Sequence, residues 1–218
     1  TNLSLAAQSV TNSDAIAGVL DASLFTPVPT NTVCTDGPSQ NFPKMSLDLA
    51  VHLLTHPTEP ARYACVIDSG LQEADGGGGY DGHGEVTQTT ARNFTNILQE
   101  LFARVNAPAE GDPNKLDLDD TLIILNTEFG RTPWSQDGGA GRNHHPYGYV
   151  TALIGGPIAS RGVVGAIGSN GTATTFVTTA EERMAALLAM GIWPFSQEAF
   201  GVSDVQGATT EEGAVEDV

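Results

Sequence analysis

The sequence predicts an α/β protein in which a mostly parallel sheet is flanked by helices. Four short apolar runs predict strands: residues 63–67, 121–125, 149–154 and 163–167. Segments with helical periodicity alternate with these runs, and such alternation favours a parallel sheet covered on both faces. Polar residues follow two of the runs directly, starting at Asp68 and at Asn126. Ligands gather at the carboxyl ends of parallel strands, so we expect a functional site there.

Three segments carry the spacing of amphipathic helices. The first has apolar residues largely on one face and ends before Pro57. The second begins near Glu85 and runs for about five to six turns, because apolar residues recur there at intervals of three and four. The third spans residues 180–190, where Thr178 or Thr179 is placed to cap the helix. These helices would cover the predicted sheet.

Charge and hydropathy exclude two classes of partner. The chain has 218 residues, with 9 Lys+Arg against 26 Asp+Glu and a formal net charge of −17. Such a surface repels nucleic acid and anionic membranes, since phosphate binding depends on Lys and Arg. No apolar run reaches the roughly 20 residues of a membrane-spanning helix. A solvated acidic surface is the simpler interpretation, and a specific cationic partner is the alternative.

Composition divides the chain into three parts. Residues 1–43 predict an irregular N-terminal segment, residues 44–200 the α/β domain, and residues 201–218 an acidic, flexible tail. The first residue is Thr1 and no signal peptide is visible, so we expect a processed product or a fragment. Cys34 and Cys65 permit one disulfide, and two unpaired thiols are the alternative.

The first chemical cluster is Tyr-Asp-Gly-His-Gly at residues 80–84. Asp81 and His83 lie two residues apart among glycines, so both side chains can turn toward one cation. A carboxylate with an imidazole suits zinc, manganese or iron. The alternative is that Asp81 caps the helix near Glu85 beside a solvated histidine.

The second cluster is Asn-Thr-Glu-Phe-Gly-Arg-Thr-Pro at residues 126–133. Glu128 follows a predicted strand and can face the same crevice as the first cluster. Arg131 offers a planar fork of donors that suits a phosphate or sulfate oxyanion. The alternative is a buried ion pair between Glu128 and Arg131 that fixes the loop.

The third cluster is Gly-Arg-Asn-His-His-Pro at residues 141–146. On an extended backbone His144 and His145 point in opposite directions, so at most one of them is a metal ligand. Two exposed histidines without a function are the alternative. The predicted topology brings all three clusters to one edge, where Asp81, His83, Glu128 and His144 would share one cation. Calcium binding in the acidic loop 112–120 is a weaker candidate, because that loop lacks the Gly and the final Glu of an EF-hand.

The order of these clusters resembles the bacterial family called domain of unknown function 1501. That family usually shows Gly-Trp-Asp-Thr-His, then Glu-Phe-Gly-Arg-Thr-Pro, then Gly-Arg-Asp-His-Trp-Pro. The similarity covers roughly residues 45–190, and the element at residues 128–133 is its most specific part. The family is related to the alkaline phosphatase and sulfatase superfamily, and its members commonly carry twin-arginine export signals.

The resemblance implies roles for particular residues. Asp81 and His83 match the superfamily's aspartate and histidine metal ligands, and His144 matches a later histidine ligand. Glu128 stands where relatives carry an Asp-His pair, with Phe129 in place of the histidine. His145 stands where the family prefers Trp, and Asn143 stands where it prefers Asp. No nucleophile is identified in residues 1–42, so the resemblance implies an incomplete alkaline-phosphatase-like fold that represents its C-terminal half.

Two functions follow as expectations. The first is an exported protein, periplasmic or secreted, that hydrolyses a small anionic phosphate or sulfate ester with a divalent transition metal and with Arg131 as a catalytic residue. The second is a non-catalytic secreted scaffold that holds at most a structural metal. Its partner would be a second copy or its own missing N-terminal half.

Overall fold

The computed structural model describes residues 41–71, 79–81, 83, 86–136, 139, 141–156, 158 and 161–190. The chain divides into two compact units, Thr1–Asp117 and Leu118–Val218. Residues 1–40 of the predicted irregular segment, including Cys34, and the whole predicted tail 201–218 lie outside the described residues. Cys65 is exposed, and the disulfide stays a prediction.

Two helices pack together in the first unit. They are α1 (Phe42–Leu54) and α2 (Val86–Phe102), and both confirm predicted helices. The core of the unit is formed by apolar side chains at helical spacing, joined by two residues after α2. Its buried members are Leu47, Ala50, Val51, Ile97, Leu101, Val105 and Leu116. This burial is the main stabilising contribution, because each fully buried aliphatic side chain contributes about 1.5–3 kcal/mol.

Polar contacts fix the start of α1 against α2. The Asn41 side chain accepts a hydrogen bond from the backbone N–H of Lys44 at 3.0 Å and so caps α1. The same amide donates to the Asn96 carbonyl oxygen of α2 at 2.8 Å. Just beyond α2, Arg104 donates to the Asp48 carboxylate of α1 at 2.7 Å. The register of the two helices is therefore set by polar contacts at two places.

Six short strands and one helix make up the described part of the second unit. The strands are β1 (Leu122–Leu125), β2 (Gly130–Arg131), β3 (His144–His145), β4 (Ala152–Gly155), β5 (Ala166–Ile167) and β6 (Ala173–Thr175). They form three antiparallel pairs, β1 with β4, β2 with β3, and β5 with β6. The helix is α3 (Thr179–Ala189), as predicted.

A capping box starts α3. The backbone N–H of Glu181 donates to the Thr178 hydroxyl at 3.2 Å, and the backbone N–H of Thr178 donates to the Glu181 carboxylate at 2.6 Å. This reciprocal pair satisfies two donors that a helix start leaves open. Of the two predicted caps, Thr178 is therefore the one used.

The predicted parallel sheet is wrong. Among the described residues, every paired strand is antiparallel, and the one parallel contact is an isolated bridge between Val105 and Leu116. A parallel pair needs a crossover connection that usually contains a helix. The described chain between β1 and β4 instead folds back through the β2–β3 pair. The β1 and β4 strands, both predicted from their apolar runs, therefore run in opposite directions.

The predicted strand at residues 63–67 is also wrong. This stretch has no strand structure, and Tyr63 and Ile67 are 80% and 83% exposed. An apolar run predicts a strand only where a neighbouring strand can satisfy its backbone groups. No described strand pairs with residues 63–67. The run at 163–167 yields only the two exposed residues of β5.

No helix of the described chain combines the length and the apolar character that crossing a bilayer requires.

Candidate functional site

Asp81 and His83 form a pair in the first unit. The Oδ1 atom of Asp81 lies 3.2 Å from Nε2 of His83. Both side chains are accessible, with 71% of Asp81 and 39% of His83 exposed. Asp81 lies five residues before Val86, the first residue of α2, so it does not occupy the N-cap position. Asp81 and His83 are thus close together in this unit, and their role as metal ligands stays a prediction.

A hydrogen bond from Tyr80 to Asp68 braces the chain next to this pair. The Tyr80 hydroxyl donates to Oδ2 of Asp68, and Oδ1 of Asp68 accepts the backbone N–H of Gly70 at 2.8 Å. Burial and the hydrogen bond to Asp68 raise the pKa of Tyr80 well above its usual value. Tyr80 therefore stays neutral and keeps donating throughout the physiological range.

The second and third clusters meet in the second unit as the β2–β3 pair. Gly130 lies opposite His145, and Arg131 lies opposite His144. Thr132 is buried, and its backbone N–H donates to the Asn143 carbonyl at 2.9 Å. The second and third clusters therefore lie together as predicted, but not at the edge of a parallel sheet, since the described residues form none.

The glycine of the Glu-Phe-Gly-Arg element has a steric role. A Cβ atom at Gly130 would overlap the carbonyl oxygen of Gly148, which is a backbone atom that cannot rotate aside. Gly148 is itself close to Gly171, whose carbonyl oxygen would lie 2.5 Å from a Cβ at Gly148. Absence of side chains lets these three backbone segments approach closely.

The two adjacent histidines face opposite sides, as predicted. His144 is exposed and His145 is buried. The His144 imidazole lies against the Phe129 ring, with centroids 4.3 Å apart. Its exposure makes His144 the histidine of this pair that can reach a ligand.

His145 instead is buried against two aromatic side chains. It is 7% exposed, and its ring centroid lies 5.7 Å from Trp134 and 5.2 Å from Tyr147, both edge-on. Its Nε2 atom has no hydrogen-bond partner among the described residues. The geometry assigns His145 to packing.

Glu128 and Arg131 flank Phe129. The Glu128 side chain is exposed, so the alternative of a buried Glu128–Arg131 ion pair is wrong. The Thr127 hydroxyl lies 3.3 Å from Oε2 of Glu128. The Arg131 guanidinium lies 5.8 Å from the centroid of Phe129 and donates to the Arg142 carbonyl at 3.3 Å. Glu128, Arg131 and His144 are thus carried by one hairpin and the turn that leads into it.

The sharing of one cation by all four predicted ligands stays a prediction. Asp81 and His83 belong to the first unit, whereas Glu128 and His144 belong to the second. Calcium binding in the acidic loop likewise stays a prediction. Within the acidic loop, Oδ1 of Asp112 accepts the backbone N–H of Asn114 at 2.9 Å, and this bonding lowers the pKa of Asp112.

Sequence reasoning missed Asn93, which is 1% exposed. Its amide bonds to the backbone at both Leu71 and Gly79, just before the Asp81–His83 pair. A signal for it exists in the sequence. Asn93 lies four residues before Ile97 and eight before Leu101, both buried, so it is a polar residue on the apolar face of α2.

Comparison with known families agrees with the sequence motifs. The family described as "Protein of unknown function (DUF1501)" matches residues 74–212. The chain belongs to this family, as its motifs predicted. The match includes the Asp81–His83 pair, the Glu-Phe-Gly-Arg element and both histidines of β3. No curated protein and no solved structure matches the chain.

Proposed function

We propose that this protein binds a divalent transition metal through Asp81 and His83 and uses it to hydrolyse a phosphate or sulfate ester. The observation that carries the proposal is the 3.2 Å approach of Asp81 Oδ1 and His83 Nε2 in an accessible position. A bare carboxylate–imidazole contact is also found without metals. The sequence context, a family motif between glycines, is what favours a ligand role here.

The donor set fits the proposed metal. One carboxylate oxygen and one imidazole nitrogen suit zinc, manganese or iron better than calcium, which prefers oxygen ligands alone. Zinc sites use three or four protein ligands, so two donors need further ones. By resemblance, Glu128 and His144 are the candidates. Such a metal, when bound, polarises an ester oxygen and lowers the pKa of a bound nucleophile.

Arg131 is the proposed partner of the substrate's anionic group. Its guanidinium can donate two parallel hydrogen bonds to a phosphate or sulfate. One such contact, made to charge that develops in the transition state, contributes about 3 kcal/mol. The position of Arg131 on β2, opposite His144, keeps this donor beside the exposed histidine.

Kinship with the alkaline phosphatase and sulfatase superfamily, and export by a twin-arginine route, belong to the same proposal. The order of the three sequence clusters supports both ideas, whereas the antiparallel strand pairs lend them no support. The acidic composition, with a formal net charge of −17, agrees with a protein that attracts cations and repels nucleic acid.

Metal content and binding test the proposal. Tag-free full-length protein would be dialysed, loaded with Zn²⁺ or Mn²⁺, and analysed by elemental analysis and titration calorimetry. We expect the wild type to bind metal, and Asp81→Asn and His83→Ala to weaken binding at least tenfold. His56→Ala removes a histidine of the first unit outside the proposed ligands and serves as the matched control. Equal binding by wild type and His83→Ala would refute the ligand assignment.

Turnover is tested separately. Wild type, Glu128→Gln and Arg131→Ala would be assayed with p-nitrophenyl phosphate and p-nitrophenyl sulfate in the presence of each metal. We expect Glu128→Gln to abolish metal-dependent turnover and Arg131→Ala to reduce kcat/KM by about 100-fold. Unchanged turnover in Glu128→Gln would contradict the role of that carboxylate.

A non-catalytic scaffold is the second candidate, and an apolar surface favours it. Val163, Val164 and Phe176 beside the β5–β6 pair are 93%, 80% and 53% exposed. Exposed apolar patches often mark contacts between proteins. A protein that carries no metal and elutes as an oligomer, with Val164→Ser shifting it to monomer, would support the scaffold over the enzyme.

A further inference from the structure

The Asn93 side chain bonds to the backbone of Leu71 and of Gly79, and Gly79 lies two residues before Asp81. Its Oδ1 atom accepts the backbone N–H of Leu71 at 3.0 Å, and its Nδ2 atom donates to the Gly79 carbonyl at 2.6 Å. The side chain is 1% exposed. A buried amide that makes both bonds fixes the distance between Leu71 and Gly79, because neither bond can be exchanged for water.

The backbone around Asn93 is packed without spare room. Gly70 has φ +81°, and a Cβ atom there would lie 2.7 Å from Nδ2 of Asn93 and 2.9 Å from Cα of Gly79. The chain can therefore approach Asn93 only because position 70 is glycine. Such close packing favours a single conformation of the backbone around Asn93.

The Tyr80–Asp68 hydrogen bond joins the same two chain segments that Asn93 connects. It links the residue directly before Asp81 to a residue three before Leu71. We call Asn93, Asp68 and Tyr80 the loop clamp. The clamp ties the residues just before Asp81 to helix α2 and to the preceding segment.

We propose that Asn93 is a positioning residue that presents Asp81 and His83 to the metal by holding the loop clamp closed. This inference rests on the proposed metal binding. Removing groups that orient metal ligands typically costs 10–100-fold in affinity. An unclamped chain would have to lose conformational freedom on binding, and this loss weakens the affinity.

The experiment compares variants of two asparagines on the same helix. Asn93→Leu removes both clamp bonds at similar volume, and Asn93→Asp keeps an acceptor for Leu71 but loses the donor to Gly79. Asn96→Leu is the matched control, because it breaks the Asn41–Asn96 contact between α1 and α2 without touching the clamp. Full-length protein would be titrated with Zn²⁺ and Co²⁺, with the Co²⁺ absorption spectrum as a readout of ligand geometry. Hydrogen exchange of residues 68–83 would be measured without metal.

We expect Asn93→Leu to bind both metals 10–100-fold more weakly, with an altered Co²⁺ spectrum and faster exchange at Leu71. Asn96→Leu should retain the affinity, the spectrum and the exchange rate, even if it unfolds more easily. Equal affinity and spectra in both leucine variants would overturn the positioning role while metal binding itself stands. If the wild type binds no metal, the proposed function fails, and unchanged exchange in Asn93→Leu would refute the clamp as well.

Discussion

The imidazole of His144 lies against the ring of Phe129, with centroids 4.3 Å apart and planes inclined by 31°. A histidine at position 129 would therefore bring a second imidazole next to His144. Phe129 occupies that place with a ring that stacks on His144 but cannot coordinate a metal.

Phe129→His should consequently give the second unit a metal site of its own. We expect Zn²⁺ affinity to rise at least tenfold, because a second imidazole adds a ligand beside His144. Titration calorimetry measures the change. Phe129→Leu controls for loss of the ring, and Phe129→His combined with His144→Ala should lose the gain. A gain that persists in the double variant would show that the added histidine binds elsewhere.

His145→Phe should leave the protein as stable as the wild type or more stable. The buried Nε2 atom of His145 has no hydrogen-bond partner among the described residues, and such a group costs about 1–3 kcal/mol. Phenylalanine has nearly the same shape and suits the contacts with Trp134 and Tyr147. Urea unfolding followed by tryptophan fluorescence tests this. His145→Ala is the contrasting variant, and the cavity it leaves should destabilise the protein by about 2–4 kcal/mol.

A loss of more than 1 kcal/mol in His145→Phe would contradict the assignment of His145 to packing. Such a loss would mean that Nε2 of His145 makes a polar contact that stabilises the folded protein.

The Asp48 carboxylate should make the first unit sensitive to acid. Burial alone would raise its pKa, but hydrogen bonds from Lys44 and Arg104 hold the pKa below the usual value of 3.8. A depressed carboxyl pKa contributes stability that is present above the unfolded-state pKa and is lost as pH falls through the folded-state value. We therefore expect the free energy of unfolding to decrease between about pH 5 and pH 2.

Asp48→Asn should make the free energy of unfolding less dependent on pH in acid. At pH 7 the substitution should lower that free energy by about 1 kcal/mol. Urea unfolding monitored by circular dichroism at 222 nm reports mainly on α1 and α2. Glu59→Gln, at an exposed position of the same unit, is the control and should follow the wild type. An acid limb of the same steepness in Asp48→Asn would refute the assignment.

Local patterns were sufficient to predict the helices and the facing of the two histidines. Apolar residues at intervals of three and four report directly on the face of a helix, so α1, α2 and α3 could be located. The opposite orientations of His144 and His145 follow from strand alternation alone. The family could be predicted because the Glu-Phe-Gly-Arg-Thr-Pro element is specific.

Strand pairing could not be predicted in the same way. An apolar run such as residues 122–125 indicates burial, but it carries no information about which strand pairs with it or in which direction. The alternation of strands and helices suggested parallel pairing, and the β2–β3 hairpin overturned it. The burial of Asn93 could be predicted from its place on the apolar face of α2, but its role could not, because its two partners are backbone groups 22 and 14 residues away. Every residue type has a backbone carbonyl, and all but proline have an N–H, so the sequence does not show which backbone groups a side chain will bond.

Gly130→Ala tests whether the motif glycine is required by packing. A methyl group at this position would overlap the Gly148 carbonyl oxygen, and relief requires the backbone of β2 or of residue 148 to move. Overpacking of this kind costs about 1–3 kcal/mol or more. We expect a loss of at least 2 kcal/mol in urea unfolding, together with weaker protection of the β2–β3 amides in hydrogen exchange. Gly162→Ala is the control, because a Cβ atom there meets nothing within 4 Å. If both variants unfold at the same urea concentration as the wild type, the close approach of residues 130 and 148 does not exist in solution. The glycine would then have to be explained by a ligand or partner instead.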